Sequence, residues 1–413
     1  MRQGRGFLLI LLAFAGLSAV AQRQPPAWLE MAIATEAVDP LALRNAAGDV
    51  EEQKKHAAAI ELAWLRRDAE AVAALRASAD TAKEAALRLD ALNLLTGVYM
   101  RAGDYALAAA AARESQKLGA RFAKGKPAQS DLLVAAEALR DTPPMTMSGK
   151  PTGVLPLKME KDGIPRARIA INGKDEEAVL DTGATFSAVS LSVAKEAGIR
   201  PLKASLRVAA GGGPEASAGI GVAEELVIAE TTFRNVVVLI VPDDDMDIFG
   251  SEARVGAIIG LPVFLKMGSI AMLPDKGALT FAFRPASGEP GEASNLRLHK
   301  LNLVLSGTLK TPAPAPVNFL LDTGANATFF NARFAKSFPD LIANAPKVFS
   351  TSAVIGEASL ARQARRLGEL RFEVGGTGFA MTGADVYEDE RPAYHGILGQ
   401  DVLRAGFAAD FDR

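Results

Sequence analysis

The sequence predicts a mainly β protein whose β-rich part is one fold written twice, preceded by an all-α segment. Three observations carry this. Asp-Thr-Gly-Ala occurs at Asp181 to Ala184 and again at Asp322 to Ala325, each time where an apolar run stops (Ala178-Val179-Leu180 and Phe319-Leu320-Leu321). Each copy is followed at nearly equal distance by two apolar residues and a glycine: Gly260 lies 79 residues after Asp181, and Gly399 lies 77 after Asp322. Finally, Ala, Leu, Glu, Lys and Arg dominate from about Ala27 to Leu139, with apolar residues recurring at three and four positions, and beyond residue 152 the period changes to two. A given tetrapeptide is expected roughly 0.01 times in a chain of this size, so the repeat in register marks an internal duplication.

In chain order, Arg2 and Arg5 precede an apolar run from Phe7 to Leu17, followed by Ala19-Val20-Ala21. This is the layout of a signal peptide over residues 1–21, and the run is short of the about 20 residues that span a bilayer. The expectation is an exported, periplasmic or secreted protein, with no membrane insertion of the mature chain; an uncleaved anchor is the alternative. There is no cysteine in 413 residues, which removes disulfides and thiol chemistry. A net charge of −2 with interspersed signs offers no basic stripe for nucleic acid.

Residues 22–145 are expected to form a helical domain. Leu87, Leu94, Val98 and Tyr99, then Tyr105, Ala108 and Ala112, mark two helices around Ala102-Gly103-Asp104. Tyr99, Gly103, Asp104, Tyr105 and Ala108 resemble a tetratricopeptide unit, with Ile60 to Leu75 as a weaker neighbour; a generic helical domain is the other reading. From Arg23 to Asp141, 16 basic residues face 17 acidic ones. A segment that plugs an acidic site by charge should be basic, so a scaffold, or a surface for a protein partner, is expected instead.

Prolines at 143, 144 and 151 mark the boundary to a first lobe over residues 152–285. Arg166 to Ile171 alternates like a half-buried strand, Asn172-Gly173 is a hairpin turn, and the return strand delivers Asp181. Further strands are expected at Leu206 to Val208, Val236 to Val241 and Ile258-Ile259, then a short helix at Pro262 to Lys266 and a closing hairpin to Phe283. A linker rich in Pro, Gly, Ser and Glu occupies 286–295. The second lobe, 296–413, repeats the order through Leu301 to Leu309, Phe319 to Asp322, Leu370 to Val374, Ile397 to Gly399, a helix at Gln400 to Arg404 and a strand at Phe407 to Phe411.

If the halves pack as twofold partners, the two carboxyls meet. Adjacent like charges cannot both ionise, so the pair would hold one proton between them. That is what amide hydrolysis needs: one carboxylate to take a proton from water and one carboxylic acid to polarise the carbonyl.

The paired motifs resemble the retropepsin and pepsin family of aspartic proteases, in a bacterial, two-lobed, single-chain form, over about the last 260 positions. The resemblance implies two retropepsin-like β-barrel lobes related by a pseudo-twofold axis. It implies Asp181 and Asp322 as the catalytic pair, Gly183 and Gly324 allowing close backbone approach, and Thr182 and Thr323 bonding across the lobe interface. It also implies a peptide or protein substrate and no metal or other cofactor. Where pepsin-like members carry Ser or Thr, this chain has Ala184 and Ala325, which removes a donor that lowers carboxylate pKa and points to activity extending towards neutral pH. Gly211, Gly212 and Gly213 resemble the tip of a retroviral-type flap; a plain hairpin loop is the alternative. The second half has Gly356 at a similar place.

Other candidates are weaker. Asp243 to Asp247 fails the calcium-loop pattern, since Ile248 stands where glycine and Arg254 where glutamate is needed. Three histidines and no His-Glu-x-x-His or Gly-x-Ser-x-Gly string leave zinc-peptidase and serine-hydrolase readings without support. His395, beside Gly396, is read as a packing or surface residue more than as a neighbour of the aspartates. A non-catalytic, peptide-binding or scaffold protein of the envelope, using the helical domain and the cleft between lobes, is the competing function.

Overall fold

The computed structural model describes residues 25–122, 130–160, 163–208, 216–246, 255–275, 278–285, 294–310, 312–354, 357–388 and 394–411. The expected export signal, most of the expected linker, the glycines 211–213 and Gly356 lie outside the described residues.

Seven helices come first: α1 (Ala27–Glu36), α2 (Pro40–Ala47), α3 (Glu51–Trp64), α4 (Asp68–Thr81), α5 (Ala85–Ala102), α6 (Tyr105–Gly119) and α7 (Asp131–Leu139). Their ends follow local chemistry. Asp39 caps α2 by accepting from the Ala42 amide, and Ser130 caps α7 by accepting from the Leu133 amide. Gly103 closes α5 in the left-handed region at φ +85°, so the corner expected at Ala102-Gly103-Asp104 is present.

The first β-rich half contains β1 (Thr146–Gly149), β2 (Gly153–Met159), β3 (Pro165–Ile171), β4 (Lys174–Leu180), β5 (Ser187–Ser190), α8 (Leu191–Glu196), β6 (Pro201–Val208), β7 (Ala216–Ile228), β8 (Thr231–Val241), β9 (Ala257–Ile259), α9 (Leu261–Met267), β10 (Ser269–Asp275) and β11 (Ala278–Arg284). The second contains β12 (Leu296–His299), β13 (Asn302–Leu309), β14 (Ala315–Leu321), β15 (Phe329–Asn331), α10 (Ala332–Ser337), α11 (Pro339–Ala343), β16 (Lys347–Val354), β17 (Glu357–Arg366), β18 (Leu370–Val374), β19 (Thr377–Met381), β20 (Asp385–Tyr387), β21 (Gly396–Leu398), α12 (Gln400–Leu403) and β22 (Phe407–Asp410).

The duplication is visible in the pairing. β4 runs parallel to β9 as β14 runs parallel to β21, and β5 is parallel to β8 as β15 is to β20. β3 pairs with β4 and β7 as β13 pairs with β14 and β18. Asn172 and Gly173 turn the first hairpin with φ +47° and +78°, the geometry that matches the twist of the strands.

Two features tie the halves and the helices into one body. The last strand, β22, leaves its own half and pairs antiparallel with β10. One apolar core joins helical residues such as Trp64, Leu95 and Leu139 to Leu206, Ile220, Leu239 and Ile258 of the first half. The helices therefore supply the apolar cover for one face of the β structure, which a sheet facing water on both sides lacks.

Polar anchors reinforce that cover. The Asn318 side-chain amide, on the strand that leads to Asp322, donates to the carbonyls of Ala37 and Val38 at 2.9 and 3.0 Å. Glu36 meets Lys300 at 2.6 Å and His299 at 3.5 Å, and the Trp64 indole donates to His299 Nδ1.

Candidate active site

Parallel pairing of β4 with β9 ends at Leu180 opposite Ile259, and the amide of Asp181 then donates to the Ile259 carbonyl at 2.9 Å. The second half repeats this: Leu321 lies opposite Leu398, and the Asp322 amide donates to the Leu398 carbonyl at 3.2 Å. Each aspartate is thus held by its backbone at the point where a buried strand stops.

The turn after each strand binds its own carboxyl. Gly183 and Ala184 amides donate to Asp181 Oδ1 at 2.8 and 3.1 Å; Gly324 and Ala325 amides donate to Asp322 Oδ1 at 2.9 and 3.0 Å. The turns are pinned from below, Leu261 donating to the Ala184 carbonyl and Gln400 to that of Ala325.

The two motifs meet face to face. The Thr182 amide donates to Thr323 Oγ1 at 3.0 Å, and the Thr323 amide to Thr182 Oγ1 at 3.1 Å. The hydroxyls continue the network, Thr182 donating to the Leu321 carbonyl at 2.7 Å and Thr323 to that of Leu180. Both threonines are buried, so the full bonding of their hydroxyls matters.

Each glycine faces the opposite carboxyl. A Cβ on Gly183 would stand 2.5 Å from Asp322 Cγ, and one on Gly324 would stand 2.4 Å from Asp181 Cγ. Space, and not a left-handed φ, demands glycine here. The carboxyls themselves are hydrogen-bonded to each other. Burial pushes Asp322 well above the ordinary carboxylate range, and the charge of Asp181 pushes the same way. Burial also raises Asp181, against the lowering effect of its hydrogen bonds to Asp322 and to the turn amides.

Further residues of the site had no obvious mark in the sequence. Ser187 Oγ accepts from the Gly260 amide at 3.0 Å, and Thr328 Oγ1 accepts from the Gly399 amide at 3.0 Å. Asp401 Oδ1 in turn accepts from the amide and hydroxyl of Thr328, and the Gln400 side chain donates to the Thr323 carbonyl. The available signal was a hydroxyl at the sixth position after each aspartate, Ser187 and Thr328.

The aspartates lie on the floor of a cleft of about 800 Å³. Phe186, Leu206, Leu239 and Ile258 line one side, and Phe329, Tyr387, Tyr394 and Ile397 the other. Arg362 lies 4.2 Å from the Tyr387 ring centroid. The helices reach the cleft as well: Asp131, Leu132 and Ala135 of α7 line it, and Asp131 pairs with Arg207 of β6 at 2.9 Å. The expected flap tip at Gly211, Gly212 and Gly213 lies outside the described residues; its stem strands β6 and β7 pair up to Val208 opposite Ala216.

His395 is a packing residue, buried at 6% exposure. Its Nδ1 accepts from the Asn318 amide, and burial, with Arg333 nearby, holds its pKa down to about 3. Asp243 sits in a short 3₁₀ turn and accepts from the amide and hydroxyl of Ser192. Among the described residues, no group of three His, Cys, Asp or Glu is placed to hold a metal ion, and no helix is long and apolar enough to cross a membrane.

Residues 167–263 match the family model described as Aspartyl protease. The match runs from β3 to α9 and contains Asp181 and Gly260. No curated protein matches the chain. The matched segment supports protease function, and a peptide or protein is the substrate class it implies.

Proposed function

We propose that the chain is an aspartic endopeptidase in which Asp181 and Asp322 activate a water molecule for attack on a peptide bond. The observation that carries this is the contact of two carboxyls on the floor of a cleft, each held by two turn amides and faced by the other motif's glycine. Burial and mutual charge favour one proton shared by the pair. The ionised member takes a proton from water, whose oxygen attacks the scissile carbonyl carbon. The protonated member polarises the carbonyl oxygen, and the leaving nitrogen takes a proton as the C–N bond breaks. The two carboxyls titrate as one coupled unit, so either can fill either role.

The substrate in this reading is an extended polypeptide whose apolar side chains enter the pockets on either side of the aspartates, with α7 as one wall. Thr182 and Thr323 keep the two carboxyls in register, which preserves the shared proton. Activity reaches towards neutral pH because Ala184 and Ala325 offer no side-chain donor. Cleavage after Ala21 releases the protein into the periplasm or beyond. The remaining helical surface, of tetratricopeptide type, is available to a protein partner.

The test is incubation of the mature chain with a mixture of unfolded polypeptides at pH 3.5 to 7.5, with fragments read by mass spectrometry. Internal cleavage next to apolar residues, blocked by a peptide carrying a hydroxyl in place of the scissile carbonyl, is expected. A folded protein that binds such peptides and leaves them intact at every pH would establish the competing, non-catalytic reading.

A further inference from the structure

The two sides of the cleft are built on equivalent positions but not with equivalent side chains. Ala188 and Phe329 each lie seven residues after their aspartate, and they pair in parallel with Leu239 and Asp385. Across the next ladder Leu239 faces Ile220, and Asp385 faces Arg366. In the second half Arg366 and Asp385 form a two-point ion pair, at 2.8 and 3.0 Å, whose arginine is open to water. In the first half the same two positions hold Ile220 and Leu239, both buried.

Helix α7 accounts for the difference. It packs on β6, and its Ala135, Ala136 and Leu139 share one core with Leu206, Ile220 and Leu239. Asp131, in the first turn of α7, accepts from the Arg207 backbone amide at 3.3 Å and from the Arg207 guanidinium at 2.9 Å. The helix thereby closes the outer side of β6, an edge strand. Leu206 lies opposite Ala218 as Val348 lies opposite Ala364, so the counterpart of Arg207 is Phe349, which is 84% exposed. The helix covers the first half, while the matching place in the second half is open. Removal of α7 would expose Leu206, Ile220 and Leu239 together, which the transfer cost of large apolar side chains opposes.

We propose that α7 is a permanent wall of the substrate cleft, and that Leu132 sets the size of the one substrate side chain that enters the first-half pocket. This rests on the reading of the cleft as a peptide-cleaving site. Leu132, Ala135, Leu206, Leu239 and Ile258 line that side of the cleft without a charge among them, so the side chain it takes is apolar. Leu132 is the half-buried member, reachable from the cleft, and Ala135 lies buried one turn-face behind it. Asp131 and Arg207, at the same wall, are held by each other. The residue that limits the pocket is thus carried by the helical segment, outside the matched residues 167–263. It is a specificity-determining residue, since it touches the substrate side chain and not the reacting bond.

The test gives full-length wild type, Leu132→Ala, Leu132→Phe and Leu132→Met a set of peptides that varies one position at a time on either side of the cleaved bond, with kcat/KM read for each peptide by mass spectrometry. Leu132→Ala should favour the largest apolar side chains and Leu132→Phe the smallest, each by about tenfold or more and at a single position on one side of the bond. Leu132→Met should keep the wild-type profile, and kcat with each variant's preferred side chain should stay near that of wild type. A lower rate with an unchanged profile in both the alanine and the phenylalanine variant would make Leu132 a structural residue and overturn the proposal. So would an active form of the protein that begins beyond residue 140, since α7 would then be a removable plug. The same peptides bound to folded Asp181→Asn forms of each variant give the readout without cleavage. A shifted binding profile, beside a wild type that cleaves nothing, would sink the catalytic reading and uphold the wall; neither cleavage nor binding would sink both.

Discussion

Thr182 and Thr323 exchange hydrogen bonds across the boundary between the two halves, each amide donating to the other's hydroxyl. Each hydroxyl then donates to the residue that precedes the opposite aspartate, Leu321 or Leu180. Position of one carboxyl is thereby a function of the backbone of the other half.

Thr182→Val should therefore cost about 2 to 4 kcal/mol, since it leaves the Thr323 amide and the Leu321 carbonyl buried without that partner. Thr182→Ser keeps the hydroxyl and should cost less than half as much. Urea unfolding of both variants checks the order, and peptide cleavage should fall at least about tenfold in the valine variant. Equal stability of wild type and valine variant would contradict the assigned network.

Gly183→Ala places a methyl group against the Asp322 carboxyl, and Gly324→Ala does the same to Asp181. Each should separate the carboxyls and weaken proton sharing. We expect cleavage reduced by about 100-fold or more, the scale of an ångström's misplacement of reacting groups, with a pH–rate profile altered in shape. A profile that scales down without changing shape would mean that the alanine acts only on folding.

Stability should carry the same signature. Asp322 has a folded pKa raised by burial and by Asp181, so the folded chain keeps a proton that the unfolded chain releases above about pH 4. Stability consequently falls as pH rises from about 4 towards the folded value. Asp322→Asn removes this penalty: the variant should unfold at higher temperature than wild type near pH 7, and the difference should shrink on acidification to about pH 4. A pH-independent difference would contradict the shared proton.

Glu36 gives the opposite sign. Burial opposes its ionisation, but the nearby His299 ring and the charge of Lys300 hold it down to about 2. Its contribution is present above about pH 4.5 and lost as pH falls through about 2. Glu36→Gln should therefore lower the melting temperature at pH 6 and converge with wild type at the acid end. Persistence of the gap at pH 2 would show that the Glu36 contact works by packing and not by charge.

Legibility in the sequence followed the range of the interaction. Asp181 and Asp322 could be found because the same short string occurs twice, and the hairpin that feeds Asp181 because Asn172-Gly173 fixes its turn locally. Ser187 and Thr328 could not, since their partners Gly260 and Gly399 lie over 70 residues away and no local pattern joins them. The docking of Asn318 on the carbonyls of Ala37 and Val38 is hidden for the same reason: backbone acceptors have no sequence. The helical segment was recognisable as helical, but its shared core with the first half was not, because an apolar helix face does not reveal what covers it. β22 is apolar and short, suited to either half, and only the pairing with β10 decides where it lies.

The central claim is tested most directly by cleavage of an unfolded protein at pH 3.5 to 7.5 by wild type, Asp181→Asn and Asp322→Asn, all shown to be folded by their circular dichroism. The account predicts internal cleavage by wild type, and its loss by at least about a thousandfold in each single variant, because neither carboxyl works without the other. Full activity in either variant, or none in folded wild type, would contradict a shared carboxyl pair as the centre of this protein's chemistry.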